Sequence, residues 1–255
     1  MGNTDHPRYG YRRLGWFLGW SAHKTRRIMQ LVELVIGRRK KGWRQGGKAE
    51  ITAPANALRP YAVFKDETHP QDGMDYSAMV ASGAWVQDFT HLWFLGAWCY
   101  LAVVLDLATR QVVGWQLGLR HTSELTFQAV LSALTAHAAP PILHSDQGSE
   151  YLSAKHNELC DALGITLSAS DKGSPWQNGF MESWFGKFKD DLGPLTPYHD
   201  LAELYVAVAR QIHYYNHDRI HSAFKMSPAE YATELKKTPV TELGVSDKLL
   251  QKVGA

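Results

Sequence analysis

Apolar residues between positions 84 and 117 form three runs that are separated by short polar or glycine-containing turns. Apolar runs of this length that are bounded by turn residues predict β-strands, and three such runs in close succession predict an antiparallel meander. The predicted strands cover residues 84–94, 98–106 and 111–117.

Beyond the meander, the spacing of apolar residues alternates between the period of a helix and the period of a strand. We predict helices at about 122–138, 152–163, 177–192 and 200–217, with strands at 142–145 and 165–168. A loop rich in Gly, Ser and Pro at 171–175 precedes the third helix. Three antiparallel strands followed by alternating helices and strands predict an α/β fold, in which a mixed sheet is covered by helices.

The beginning of the chain has the pattern of two short helices around a tight turn. Leu14, Phe17 and Leu18 lie on one helix face before Gly19-Trp20 interrupts the period. Ser21 can cap a second helix. The apolar face of that helix contains Ile28, Leu31, Val32 and Val35. This arrangement resembles a helix-turn-helix, although a solvated basic helix has the same pattern.

Charge is divided unevenly along the chain. Residues 1–48 contain twelve Lys or Arg against Asp5 and Glu33, a net charge of +10, whereas the whole chain carries only +2. A basic arm joined to an acidic domain predicts a polyanionic partner for the arm. Composition and texture divide the chain into an arm at 1–48, a linker at 49–80, a core domain at 81–235 and a tail at 236–255.

Neither a membrane span nor a disulfide framework is indicated. No window approaches the roughly 20 apolar residues of a membrane helix, and the start has no apolar stretch of the secretory kind. Cys99 and Cys160 are the only cysteines and form no CxxC pair. We therefore expect a soluble, cytoplasmic protein without a membrane partner.

Three carboxylates stand where an unpartnered charge is costly or where site residues collect. Asp88 lies within an apolar strand, Asp146 directly follows a strand, and Glu182 projects from a helix rich in aromatic residues. For each one alone, an ordinary salt bridge or helix cap is an equally good interpretation. Converging carboxylates would supply the oxygen ligands that hard divalent cations take, and two such ions about 4 Å apart can catalyse phosphoryl transfer.

Four segments carry a specific resemblance: WVQDFTHLW at 85–93, YLAVVLDLATRQVVGW at 100–115, HSDQGSEYLS at 144–153 and KGSPWQNGFMESWFGKFK at 172–189. They resemble the core blocks of bacterial insertion-sequence transposases of the second-reading-frame type, which have a retroviral-integrase-like core. HPRYGYRRL at 6–14 and YNHDRIHSAFKMSPAEY at 215–231 resemble the helix-turn-helix and the closing block of that family.

The resemblance implies a ribonuclease-H-like fold and a catalytic, metal-binding triad at Asp88, Asp146 and Glu182. The 35 residues between Asp146 and Glu182 match the spacing of the family. Mg²⁺ is the implied cofactor, with Mn²⁺ as a substitute. Asp106 is the rival carboxylate, and we interpret it as structural because it ends a strand at the Asp-Leu-Ala-Thr-Arg turn.

Six side chains are candidates for DNA contacts: Lys24, Arg26, Arg27, Asn178, Lys187 and Lys189. The first three share the exposed side of the second predicted helix, and the last three accompany Glu182 on its helix. Lys187 and Lys189 could equally pair with Asp190 or Asp191. Trp184, on the same helix, is expected in the core.

The resemblance implies an enzyme that cleaves the ends of an insertion element and joins the freed 3′ hydroxyl to a DNA phosphate. Its partners would be double-stranded DNA, both terminal repeats and target, and further copies of the chain assembled on that DNA. In the family an upstream reading frame supplies a further DNA-binding segment, so an upstream-frame partner or fusion is also implied. Gln87, His91 and Gln177 depart from the family pattern beside the triad. The alternatives are an inactive DNA-binding regulator of transposition and a general nuclease of ribonuclease-H-like fold.

Overall fold

The computed structural model describes residues 9–31, 53–61, 63–64, 74–75, 82–172 and 174–237. Its helices are α1 (Tyr11–Leu18), α2 (Ala22–Leu31), α3 (Ser123–Leu134), α4 (Ala154–Leu163), α5 (Gly179–Leu192), α6 (Leu201–His217) and α7 (Pro228–Lys237). Its strands are β1 (Val63–Phe64), β2 (Met74–Asp75), β3 (Trp85–Phe94), β4 (Ala97–Asp106), β5 (Val112–Gly118), β6 (Ile142–Ser145) and β7 (Thr166–Ala169).

Five strands form one mixed sheet in the order β5-β4-β3-β6-β7. The first three are the antiparallel meander, and β6 and β7 add parallel strands beside β3. The parallel strands need crossover connections, which α3 and α4 provide. The α/β fold expected from the sequence, three antiparallel strands followed by alternating helices and strands, is confirmed.

The main differences from the predicted boundaries concern four helices, of which α3 ends at Leu134 and not at about 138. Short 3₁₀ turns at Ser149–Leu152 and Pro175–Asn178 precede α4 and α5, so both helices begin later than expected. Helix α7 was not expected, and it follows Ser227, whose backbone N–H binds the carboxylate of Glu230 while its hydroxyl accepts from the backbone N–H of Glu230. This reciprocal capping box is a start signal that the hydrophobic period alone does not reveal.

The sheet has a separate apolar cluster on each face. One cluster joins β3 and β4 to α5 and α6 through residues such as Val86, Leu101 and Met181. The other joins the sheet to α3 through Val104, Val113 and Ala129 among others. Because both faces are covered, the central strands are apolar along most of their length.

Gly114 in β5 permits a close approach of α3 to the sheet. A Cβ atom at this position would lie 2.3 Å from the backbone oxygen of Ala129 and 2.7 Å from the backbone nitrogen of Ala133. Both neighbours are backbone atoms of one helix, which cannot turn aside as a side chain can. The spacing of this layer therefore depends on glycine.

The two short helices of the arm are present, but their expected apolar face is wrong. Phe17, Leu18 and Leu31 are exposed. The helices approach instead at Gly15, where an added Cβ would lie 2.9 Å from the Thr25 hydroxyl oxygen. Thr25 is itself buried. Val32 and Val35, which were expected on the same face, lie outside the described residues.

The arm is fastened to the end of the core by Tyr9. Its buried hydroxyl accepts a 2.7 Å hydrogen bond from the backbone N–H of Ile220, just beyond α6. A longer bond of 3.5 Å runs from this hydroxyl to the backbone oxygen of Asp218. Residues more than 200 positions apart in sequence are thereby held together.

No helix in the parts of the chain that the structure describes has the length and apolar character needed to cross a bilayer.

Candidate active site

The pairing of β3 with β6 places Asp88 and Asp146 side by side. Val86 lies opposite His144 in this parallel pair. Two residues further on are Asp88, within β3, and Asp146, the residue after β6, so the alternation of the strands directs both carboxylates to the same face of the sheet. Neighbouring strands are about 4.8 Å apart, which brings the two acids into electrostatic contact.

The start of α5 lies against the same position. Asn178, the residue before α5, is 5% exposed, and its amide nitrogen lies 3.2 Å from Oδ2 of Asp88. Gln177 fixes the preceding loop, because its amide oxygen accepts from the backbone N–H of Asp171 and its amide nitrogen donates to the Asp171 carboxylate. The loop and α5 are thus held at the edge where the two aspartates lie.

Burial and mutual repulsion favour the protonated form of both aspartates. Burial raises the pKa of Asp88 well above its usual value, and the charges of Asp146, Glu150 and Glu182 raise it further. The pKa of Asp146 is also raised by burial and by Glu150, although a hydrogen bond from the Gly148 backbone N–H opposes this. A cation bound beside the two side chains would stabilise their ionised form instead.

Glu150 and His121 belong to this site and were missed in the sequence. Glu150 lies on the 3₁₀ turn that follows Asp146, and its Oε1 is 3.0 Å from Nε2 of His121. The His121 ring packs 3.8 Å from the ring of Phe89, the neighbour of Asp88. The available signal was the position of Glu150 four residues after Asp146, within a block that already carried a candidate ligand.

Tyr151 closes the inner side of the site. It is 1% exposed, and its hydroxyl is buried without a hydrogen-bond partner of good geometry. Burial and the neighbouring charges of Asp88 and Asp146 raise its pKa well above the usual value. Tyr151 thus remains a neutral phenol facing the carboxylates.

The three predicted ligands do not form a complete metal-binding group. Among the described residues, no three His, Cys, Asp or Glu side chains converge closely enough to hold one ion. Asp88 and Asp146 are adjacent, whereas Glu182 is exposed on α5, although its charge acts on Asp88. Like charges repel one another, which opposes a closer approach of Glu182 to the two aspartates.

The donor set nevertheless fits a hard divalent cation. Four carboxylates, those of Asp88, Asp146, Glu150 and Glu182, act on one another, and only Glu150 has an ion-pair partner among the described residues. The side-chain oxygen of buried Asn178 also has no hydrogen-bond partner. Carboxylate and amide oxygens are the ligands that Mg²⁺ and Mn²⁺ accept.

Asp106 has the structural position expected for it. Its Oδ1 accepts hydrogen bonds from the backbone N–H groups of Ala108 and Thr109, at 2.7 and 3.2 Å. These bonds close the β4–β5 turn, in which Arg110 has a φ of 62°. Asp106 is not among the charges that act on Asp88.

The predicted DNA-contacting side chains fall into two groups. Lys24, Arg26 and Arg27 are exposed on α2. In the second group, Asn178 is buried against Asp88, whereas Lys187 is partly exposed and donates to the Ser183 hydroxyl at 2.7 Å. Lys189 is partly exposed on the same helix.

Two further expectations for α5 have definite outcomes. Trp184 is 3% exposed, so its expected place in the core is confirmed. Asp191, one of the two alternative partners of Lys187 and Lys189, is bound by the guanidinium of Arg219 and also acts on Lys187.

Comparison with known proteins extends the likeness over most of the chain. Two family models, both described as integrase core domain, match residues 81–175 and 163–228. A protein of Escherichia coli strain K12, described as a transposase, InsK, of insertion sequence element IS150, is 30% identical over 91% of this chain and 80% of its own length. The transposase of insertion sequence element IS904 from Lactococcus lactis is 29% identical over 81% of this chain and 79% of its own length.

Solved structures share the fold. The catalytic core domain of HTLV-2 integrase, solved in complex with magnesium, superposes with a TM-score of 0.50 at 21% identity, covering 59% of this chain and 95% of that one. A chain of the simian T-cell lymphotropic virus intasome, solved with a PP2A regulatory subunit, gives a TM-score of 0.54 at 16% identity, covering 91% and 76%. With the sheet order and the transposase relatives, these findings show that the chain belongs to the bacterial insertion-sequence transposases with an integrase-like core.

Proposed function

We propose that this chain cleaves the ends of its insertion element and joins the freed 3′ hydroxyl to a DNA phosphate. The observation that carries the proposal is the pair of adjacent carboxylates, Asp88 and Asp146, with raised pKa values and Glu182 on the neighbouring helix. In each step an oxygen nucleophile, first water and then the 3′ hydroxyl, forms a bond to phosphorus and gives up one proton. The bond from phosphorus to the leaving 3′ oxygen breaks, and that oxygen takes up a proton to become a hydroxyl.

Asp88, Asp146 and Glu182 would hold two divalent ions, Mg²⁺ or Mn²⁺. When bound, these ions supply charge stabilisation for the attacking and leaving oxygens. Asp88 and Asp146 provide the fixed side of the site, because the sheet sets their spacing. Glu182 would complete it from α5 once its repulsion with Asp88 is neutralised. Asn178 orients Asp88 through the 3.2 Å hydrogen bond.

The domain roles follow the charge distribution. Residues 1–48 would bind double-stranded terminal repeats, with Lys24, Arg26 and Arg27 contacting phosphates or base edges. Residues 81–235 would form the catalytic core, with 49–80 as the linker and 236–255 as the tail. Lys187 and Lys189 would approach the DNA beside Glu182. Joining two ends requires two active sites near each other, so we propose a homo-oligomer on DNA, completed where present by an upstream-frame partner or fusion.

The direct test compares Asp146→Asn with the wild type on labelled duplexes that carry an element end. We expect strand cleavage and joining with Mg²⁺ to fall at least about a thousandfold, because metal stabilisation supplies several kcal/mol and each 1.4 kcal/mol is about tenfold. DNA affinity should be retained. Asp161→Asn, the same change at an exposed position of α4, is the matched control and should cleave normally.

The alternatives predict different results in the same assay. An inactive regulator would bind the duplex but show no Mg²⁺-dependent cleavage in the wild type. A general nuclease would cleave without preference for element ends and would join no strands. Cleavage by Asp146→Asn at the wild-type rate would show that the ligand assignment is wrong.

A further inference from the structure

Four basic side chains from distant parts of the chain gather between the arm and the core. They are Arg13 of α1, Arg110 of the β4–β5 turn, Lys187 of α5 and Arg219 just after α6, and we call them the cation cluster. The carboxylate of Asp191 also acts on Arg13 and Lys187. The cluster therefore brings four basic side chains together around this carboxylate.

Repulsion within the cluster lowers the pKa of one of its members, Lys187, and of the neighbouring His221. Burial and the charges of Arg13, Arg219 and Arg110 together lower the pKa of Lys187 to about 8. The same four cations, after burial, lower the pKa of His221 to about 3. Such an arrangement costs the folded protein stability, and a bound anion would offset that cost.

The cluster also presents hydrogen-bond donors that have no acceptor. Arg219 is 3% exposed, and its Nε binds the Asp191 carboxylate while its Nη1 is buried without a partner. Nε of Arg13 is buried without a partner as well. Arg110 is held in place by its guanidinium, which stacks 3.8 Å from the centre of the Phe180 ring. Buried guanidinium donors without acceptors call for an anion with several oxygens.

We propose that the cation cluster binds a phosphate group of the DNA backbone at the junction of the arm and the catalytic core. This inference rests on the proposed function only for the identity of the DNA. Guanidinium groups bind phosphate oxygens through paired N–H donors, and Lys187 adds a point charge. Lys187 is partly exposed and its partner Ser183 is exposed, so the cluster has an open side.

The position of the cluster explains why one phosphate would serve both parts of the molecule. Lys187 lies five residues after Glu182 on α5, and Arg13 lies on the first helix of the arm. A phosphate held by both would fix the DNA between the arm and the carboxylate site. The arm would then bind its DNA in a register set by the core.

The test measures the salt dependence of duplex binding by the full chain. Lys187→Gln should reduce the slope of log affinity against log salt by about 1, the loss expected for one phosphate contact. Lys237→Gln, an exposed lysine of α7, is the matched control and should leave the slope unchanged. An unchanged slope for Lys187→Gln would overturn the proposal, and because binding needs no metal, this result is independent of cleavage.

A second measurement separates a phosphate site from a structural role and identifies its source. Duplex DNA should raise the Tm of the wild type more than that of Arg13→Gln, while the DNA-free Tm of the variant stays equal or rises as repulsion is relieved. A lower DNA-free Tm with an undiminished DNA-induced rise would mean that the cluster is only structural. A Tm rise with inorganic phosphate that duplex DNA does not reproduce would assign the site to free phosphate and overturn the DNA proposal.

Discussion

At the residue scale, the ionised form of Asp88 lowers the stability of the folded protein when no cation is bound beside it. Its pKa is raised well above the usual value by burial and by three neighbouring carboxylates. A raised folded-state pKa contributes stability below the usual carboxyl pKa of about 4, and that contribution is lost as pH rises through the folded value. We predict that Asp88→Asn raises the free energy of unfolding at neutral pH by about 1 kcal/mol, or roughly 2–4 °C in Tm.

Thermal unfolding in EDTA, measured between pH 4 and 8, checks this. The Tm difference between Asp88→Asn and the wild type should grow with pH and should shrink when Mg²⁺ is added. Glu158→Gln, at an exposed position of α4, provides the background. A destabilised Asp88→Asn at every pH would mean that the Asn178–Asp88 contact outweighs the repulsion.

Asp88 and Asp146 are conspicuous in the sequence because each is an acid in or directly after an apolar strand, and the family resemblance implied their catalytic role. It did not find Glu150 or His121, which meet only after the chain turns through a 3₁₀ segment and the β5–α3 connection folds back. Neither residue interrupts a hydrophobic period. Their relation is a matter of tertiary distance, which spacing along the chain does not encode.

At the scale of the elements, Gly114 predicts a specific sensitivity. Gly114→Ala should destabilise the protein by about 3 kcal/mol, the upper part of the range for overpacking, because the new Cβ meets backbone atoms of α3. Chemical denaturation measures this as a lower midpoint. Gly186→Ala in α5 is the matched control, since nothing lies within 4 Å of its Cβ position, and should stabilise by up to about 1 kcal/mol.

The meander could be predicted from the sequence because burial on both faces makes strands such as β4 apolar along most of their length. The contact between α1 and α2 could not. Its closest approach is at Gly15 and Thr25, neither of which is hydrophobic enough to mark a packing face, while Phe17 and Leu18 are exposed. Helices that meet through small residues leave little trace in a hydrophobic pattern.

At the scale of the whole molecule, the arm and the remainder carry opposite charge. We predict that the full chain binds duplex DNA with a steep salt dependence, and that combining Lys24→Ala with Arg27→Ala lowers the slope by about 2. Combining Lys236→Ala with Lys237→Ala, which removes two exposed charges from α7, should leave the slope unchanged. Equal losses in both double variants would indicate non-specific attraction to net charge.

The short parallel ladder between β3 and β6 has a further consequence, for insertions and deletions. Trp85 and Val86 pair with Leu143 and His144, and the carboxylates lie just past these pairs. A residue added within Ile142–Ser145 would turn Asp146 to the opposite face of the sheet, whereas one added in the exposed connection at 138–139 would only lengthen a loop. Related chains can therefore vary in the length of this connection. Within β6, however, an insertion or deletion of a single residue would remove the Asp146 carboxylate from the side of the sheet on which Asp88 lies.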